Sequence, residues 1–169
     1  MQKELPKRKN LRLKDYDYSQ AGCYFITISS YQREHLFGNV IVGQGLCSCR
    51  LSVIGNIIDS EITQLAIRYP QIEIIKYVIM PNHIHLLLAI IDARQEQSPC
   101  PTSPSIGDII CALKSITTKK ANHHDGINGR KIWQFRYHDH IIRNQPDYNR
   151  IWQYINENPA TWLDDCYYT

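Results

Sequence analysis

Apolar residues repeat along the chain with two different periods, and the change of period separates strands from helices. The segments GCYFITISSY (22–31) and IEIIKYVIM (72–80) are short, rich in β-branched and aromatic residues, and bounded by turn formers, which predicts strands. Between residues 52 and 69 the apolar positions instead recur at helical spacing. This segment is therefore predicted to be an amphipathic helix that ends before Pro70.

The remaining pattern supplies the other elements of one domain. Glycine-punctuated residues 36–52 predict a hairpin, and Pro81-Asn82 predicts a tight turn into a partner strand, HIHLLLAII (83–91). Further segments are predicted in chain order: a flexible connection (93–106), a helix from near Gly107, a loop (123–130), an extended aromatic strand (131–143), and a last helix between Pro146 and Pro159.

This order of elements predicts an α+β fold. The expected architecture is a single-domain ferredoxin-like sandwich over residues 21–169, with an antiparallel sheet and the helices on one face. A basic arm, residues 1–20, precedes it.

Composition narrows the class of protein. The chain has 169 residues, 43% hydrophobic and 21% charged, which is normal for one globular domain. No apolar run is long enough to predict a membrane span, and the basic N-terminus has no apolar region typical of a secretory signal. Six cysteines without a CxxC pair do not indicate a zinc site or a disulfide framework. We therefore expect a cytoplasmic protein.

Two histidines interrupt the most apolar strand. Residues two apart in a strand point to the same face, so His83 and His85 project side by side while Ile84 and Leu86 point into the core. Two adjacent imidazoles can bind one divalent cation from a rigid platform. The alternative is a pair of histidines that are hydrogen-bonded beneath a helix. A metal would need a third ligand, with candidates at His123-His124-Asp125, at His138 and His140, or among amides of the last helix.

The last helix carries a possible nucleophile. Four residues at helical spacing predict its buried stripe: Tyr148, Ile151, Trp152 and Ile155. Tyr154 lies off that stripe and shares a face with Asn158, four residues further on. A phenol can attack a phosphodiester when a metal polarises the phosphate, which would give a 5′-phosphotyrosine and a free 3′-hydroxyl. The alternative is an ordinary surface tyrosine.

Three segments resemble one family. MPNHIHLLL resembles the His-hydrophobic-His motif of HUH single-strand nucleases, and FRYHDHIIRNQPDYNRIWQYINENPATW resembles the C-terminal signature of REP-associated tyrosine transposases in the insertion-sequence 200-like family. The opening LRLKDYDYSQAGCYFITI is similar to the start of those proteins. The resemblance implies a HUH nuclease fold and a Mg²⁺- or Mn²⁺-dependent enzyme that cleaves and rejoins single-stranded DNA with adjoining hairpins.

The resemblance also implies residue roles. His83 and His85 would be metal ligands, Tyr154 the nucleophile, and Asn158 the amide that completes the site. Related transposases often have Gln at the last position, and Tyr148 is the alternative nucleophile.

DNA is the implied partner, and basic residues cluster in residues 1–14 and 114–143. The residues expected to contact it are Arg8, Arg12, Lys14, Lys119, Lys120, Arg136, Tyr137, His140 and Arg143, with Trp133 and Phe135 as further stacking candidates.

Two questions stay open at the level of sequence. The protein could act as a monomer or as a homodimer, in the cytoplasm and nucleoid-associated when bound to DNA. The alternative function is a domesticated protein that binds hairpin DNA and cleaves it little or not at all, since it would carry the same residues.

Overall fold

The fold is described from a computed structural model, which describes residues 16–43, 46–91 and 104–168. Its strands are β1 (Gly22–Ser29), β2 (Gly38–Gly43), β3 (Leu46–Leu51), β4 (Ile72–Ile79), β5 (His83–Ile90) and β6 (His138–Ile142). Its α-helices are α1 (Val53–Thr63), α2 (Leu65–Arg68), α3 (Ile106–Asp125) and α4 (Gln145–Glu157). None of these helices is long and apolar enough to cross a membrane.

Four strands form one antiparallel sheet in the order β4-β5-β1-β6. β5 lies between β1 and β4, and β1 lies between β5 and β6, so each helical crossover skips one strand. This is the ferredoxin-like arrangement, and the predicted fold class is confirmed. The predicted hairpin of residues 36–52 forms a separate ribbon from β2 and β3.

Helices α1 and α3 pack together on one face of the sheet, here called the helix-pair face. Tyr24, Ile26 and Ile28 of β1 alternate into this core, as do Ile84, Leu86 and Leu88 of β5. All of these side chains are fully buried, so this face holds the main hydrophobic core. Ser52 caps α1 by accepting from the Gly55 amide, and Ser105 caps α3 in a capping box with Asp108.

Helix α4 packs on the opposite face, here called the α4 face, against β4 and β5. Ile151 and Ile155 contact Leu87 in a small apolar cluster, with Phe25 and Tyr148 at its edge. The expectation that the helices lie on one face is therefore wrong for α4. An amphipathic stripe shows that a helix buries one side, but it does not state which face of a sheet receives that side.

Two further expectations need correction. Trp152 does not belong to the buried stripe: it is 42% exposed, and the Lys76 ammonium lies 3.7 Å from the centroid of its ring. Helix α3 continues through Asp125 and ends at Gly126, whose φ of 65° suits a glycine cap, so the predicted loop begins three residues later than expected. Most of the predicted connection 93–106 lies outside the described residues.

Candidate active site

The paired histidines lie at the start of β5, directly after the Pro81-Asn82 turn. Because Ile84 and Leu86 point into the main core, His83 and His85 point to the α4 face. Both are buried, with 0% and 1% exposure. Their Nε2 atoms are 3.0 Å apart, so the two rings converge on one point.

The second nitrogen of each ring has its own partner. Nδ1 of His83 lies 2.9 Å from the side-chain oxygen of Asn82, which can only accept, so this nitrogen carries a hydrogen. Nδ1 of His85 lies 2.8 Å from the Thr27 hydroxyl, which can accept or donate. Both rings can therefore keep their hydrogen on Nδ1 and offer the lone pair of Nε2 to a cation, an arrangement common among metal-ligating histidines.

A carboxylate that sequence reasoning missed completes the cluster. Asp165 follows a short turn after α4, and its side chain is 2% exposed, with Oδ2 at 4.0 Å from Nε2 of His83. Ligand atoms of His83, His85 and Asp165 all lie within 4.8 Å of one another. Two imidazoles and a carboxylate form a donor set that suits a divalent cation.

Asn158 is fully buried beside this carboxylate. Its side-chain nitrogen donates to Oδ2 of Asp165 at 2.9 Å, while its oxygen is buried without a hydrogen-bond partner among the described residues. An unpaired buried oxygen costs free energy that a bound cation would recover, so the residues present fit a metal. The structure thus places the Asn158 side chain against Asp165, the carboxylate beside the histidines.

Tyr154 reaches the same point from α4. Its hydroxyl lies 3.3 Å from Nε2 of His85 and 3.5 Å from Oδ2 of Asp165, and the residue is 37% exposed. Tyr148 instead packs at the edge of the apolar cluster under α4. Of the two tyrosines considered, Tyr154 is the one that contacts the histidines.

Burial sets the protonation of these groups. It lowers the pKa of His83 to about 4, although the neighbouring Asp165 opposes this, and it lowers the pKa of His85, with a further contribution from His83. Both rings are therefore neutral at pH 7, as ligation requires. Burial and the charge of Asp165 raise the pKa of Tyr154 above its ordinary value, so the phenol is protonated at neutral pH.

Two of the other candidates for the third ligand have partners elsewhere. His124 pairs with Asp125 at the end of α3, on the helix-pair side, and His140 pairs with Asp147 of α4 at 2.7 Å. His138 is the closer of the β6 histidines, because it pairs in register with Thr27, the partner of His85.

The residues expected to contact DNA have different environments. Arg8, Arg12 and Lys14 lie outside the described residues. Lys119, Arg136 and Arg143 are exposed, whereas Lys120 forms an ion pair with the buried Glu61.

Among the aromatic candidates, Tyr137 packs partly buried against the main core and Phe135 is 98% exposed. The expectation for Trp133 is wrong, because its ring is buried and its Nε1 donates to Thr117. It cannot stack on a base.

Comparison with known proteins identifies relatives. The family model described as "Transposase IS200 like" matches residues 50–158. An uncharacterized protein of Haemophilus influenzae is 34% identical over 173 aligned positions, which cover 95% of this chain and 93% of that protein. The structure of the REP-associated tyrosine transposase bound to a REP hairpin matches with a TM-score of 0.56 and 22% identity, over 92% of this chain and 74% of that one. This last likeness concerns the fold.

Proposed function

Because the chain belongs to the IS200-like transposase family, we propose that it cleaves and rejoins single-stranded DNA beside a hairpin through a 5′-phosphotyrosine intermediate. The observation that carries the proposal is the position of the Tyr154 hydroxyl, within 3.5 Å of both His85 and Asp165. The hairpin is suggested by the structural relative, which was solved with one.

The proposed metal ligands are His83, His85, Asp165 and Asn158, and the ion is Mg²⁺ or Mn²⁺. When bound, the ion would act as a Lewis acid on the oxygens of the scissile phosphate. Asn82 and Thr27 hold the two imidazoles with Nε2 turned to the site, which fixes the ligands before the ion arrives.

Tyr154 supplies the nucleophilic oxygen. A bond forms between this oxygen and phosphorus, the bond from phosphorus to the 3′-oxygen of the DNA breaks, and the leaving 3′-oxygen takes up a proton from water to become a hydroxyl. His85 has one free lone pair, which ligation would use, whereas a carboxylate has several, so Asp165 can both ligate the ion and accept the phenolic proton. The reverse attack by a 3′-hydroxyl rejoins the strand without ATP.

A second function is favoured by one observation. His83 and His85 are almost completely covered, with the ring of Tyr167 centred 4.5 Å from that of His83 and 6.0 Å from that of His85. A protein that binds hairpin DNA and cleaves it poorly would tolerate such coverage.

The test is a covalent-adduct assay on labelled hairpins with single-stranded flanks, in Mn²⁺, in Mg²⁺ and in EDTA. Tyr148→Phe is the matched control for Tyr154→Phe, because it removes the same hydroxyl from the same helix. We expect a metal-dependent adduct from the wild type and from Tyr148→Phe, and none from Tyr154→Phe. An adduct that survives in Tyr154→Phe would contradict the assigned nucleophile. Tight binding without an adduct across a hairpin library would support the second function.

A further inference from the structure

The segment that leads into the edge strand β6 contains two more residues than the part of the chain that it faces after β1. Thr27 pairs with His138, and Ser30 pairs with Trp133. Ser30 is three residues after Thr27, whereas His138 is five residues after Trp133. Residues 134–137 therefore bulge out of the ladder of paired residues. We call these four residues the edge bulge. Bulges next to active sites commonly redirect side chains.

The edge bulge is held by Lys114 of α3. The ammonium donates to the backbone carbonyls of Gln134, Phe135 and Arg136 at 2.9, 3.3 and 3.2 Å. These carbonyls have left the ladder, and the lysine replaces the partners that the ladder would have given them. The amide of Gln134 also donates to the Ser29 carbonyl at 3.0 Å. The bulge is thus fixed at its start and along its middle.

This fixed backbone presents two neighbouring side chains to solvent. Phe135 is 98% exposed, more than any other large hydrophobic residue in the described part of the chain, of which Ile67 at 72% is next. Arg136 is also exposed. A phenylalanine left in water forgoes the free energy that burial of its ring would provide. A rigid backbone that displays one so openly indicates a contact with another molecule.

The position relates this contact to the proposed chemistry. The edge bulge is followed directly by His138, which pairs with Thr27, and the Thr27 hydroxyl contacts His85. One strand, β1, therefore lies between the side of the sheet that carries the bulge and the histidine strand β5. An aromatic face next to a guanidinium matches a nucleotide, which offers a flat base and a phosphate. The four residues of the bulge include no acidic side chain.

We infer that the edge bulge binds an unpaired nucleotide next to the cleavage position. Phe135 stacks on its base, Arg136 pairs with its phosphate, and Lys114 is the positioning residue that fixes both. This inference rests on the proposed function, because it takes single-stranded DNA as the substrate. It adds a base-binding position outside the metal ligands and the nucleophile.

The test places 2-aminopurine, a fluorescent base quenched by stacking, at each unpaired position of a labelled hairpin in turn. We expect the wild type to quench one position. Phe135→Leu keeps an apolar side chain without an aromatic face, and we expect it to lose that quenching and to bind about 5-fold to 100-fold more weakly. Phe135→Trp should retain both the quenching and the affinity of the wild type. Ile67→Ala is the matched control, since it alters an exposed apolar residue on α2.

The two basic residues have separate readouts. Arg136→Gln should lower the slope of log Kd against log salt by about one phosphate contact, without moving the quenched position. In a Lys114→Met background, Phe135→Leu should have little further effect on DNA affinity, so that the double variant binds like Lys114→Met alone. In a Lys114→Arg background, the effect of Phe135→Leu on affinity should return. Thermal melting of Lys114→Met shows whether the fold itself is retained.

Two results would overturn the inference. One is unchanged quenching and affinity in Phe135→Leu, and the other is equal loss in Phe135→Leu and Phe135→Trp. Failure of the proposed function is distinct: it is the absence of a Tyr154-dependent adduct, whatever the quenching shows.

Discussion

The two faces of the sheet are built from alternate residues of the same strands, yet they bury different kinds of side chain. The helix-pair face is lined by Ile26, Ile84 and Leu86 and packs against two helices. The α4 face carries Thr27, His83 and His85 at one end and the small apolar cluster around Leu87 further along the strands. Buried polar groups stabilise a fold poorly unless all are paired. The difference indicates that the helix-pair face provides stability and that the α4 face holds the groups proposed to react.

The largest effect should come from breaking the polar end of the α4 face. His85→Ala removes one proposed ligand, so we expect adduct formation to fall about 1,000-fold or more, an effect of ~4 kcal/mol on the barrier. Titration calorimetry should show a matching loss of Mn²⁺ binding. His140→Ala is the matched control, because His140 lies on the same sheet face but pairs with Asp147. Equal losses in the two variants would contradict the assigned ligand.

Leu86 and Leu87 are adjacent, both fully buried, and point to opposite faces. Truncation of either to Ala should lower the free energy of unfolding by about 2–5 kcal/mol, measured in urea. Only Leu87→Ala should also slow adduct formation by the folded protein, because Leu87 supports the helix that positions Tyr154 and small displacements of a reacting group are costly. If both variants cleave equally well per folded molecule, the functional separation of the faces is wrong.

Asn158→Ala should have a smaller effect on the site. It removes a proposed ligand and the donor to Asp165, and we expect Mn²⁺ affinity to fall about 10-fold to 100-fold, or ~1.4–2.7 kcal/mol. Asn156→Ala is the control on the same helix, because its exposed side chain accepts from Lys76, away from the histidines. Unchanged Mn²⁺ affinity in Asn158→Ala would remove Asn158 from the proposed ligand set.

The smallest effect concerns the buried carboxylate of Glu61 on α1. Burial raises the pKa of Glu61, but hydrogen bonds from Lys120 and Arg68 outweigh it and hold the pKa below its ordinary value of 4.5. The carboxylate therefore stabilises the fold fully above that value, and the contribution is lost as the pH falls through the lower pKa of the folded state. At pH 7, Glu61→Gln should cost about 1–2 kcal/mol.

The measurement is urea unfolding of Glu61→Gln and the wild type between pH 7 and pH 3. The difference between them should shrink at the acid end, and adduct formation at pH 7 should be unaffected. A difference that stays constant with pH would show that the charge of Glu61 does not contribute.

Local pattern predicted most of the fold, because strand and helix periods are short-range properties of the chain. The alternation around His83 and His85 was enough to place both rings on one face, and the tight turn before them was recognisable from Pro81-Asn82. Spacing on α4 separated Tyr154 from the buried stripe. The same spacing wrongly included Trp152 in the buried stripe, because Lys76 of β4, rather than the core, covers its ring.

Asp165 could not be found in the same way. It lies beyond the last helix, in a segment with no periodic pattern, and reaches the histidines only because the chain turns back after Pro159 through the short turn at Trp162–Asp164. The consecutive pair Asp164-Asp165 was the one signal available. The sheet face on which α4 packs could not be predicted from local pattern either. It depends on tertiary structure, because α1 and α3 cover one side of β5 and leave the other side open.

The small cluster under α4 also has a consequence for how the molecule fluctuates. Three buried side chains hold this helix, whereas β1 and β5 are anchored in the main core, so α4 should open at a lower free energy than the rest of the domain. In amide hydrogen exchange its protons would be replaced before those of β5. A ligand that needs Tyr154 in place would slow that exchange in proportion to its occupancy, so the helix would act as a built-in reporter of binding.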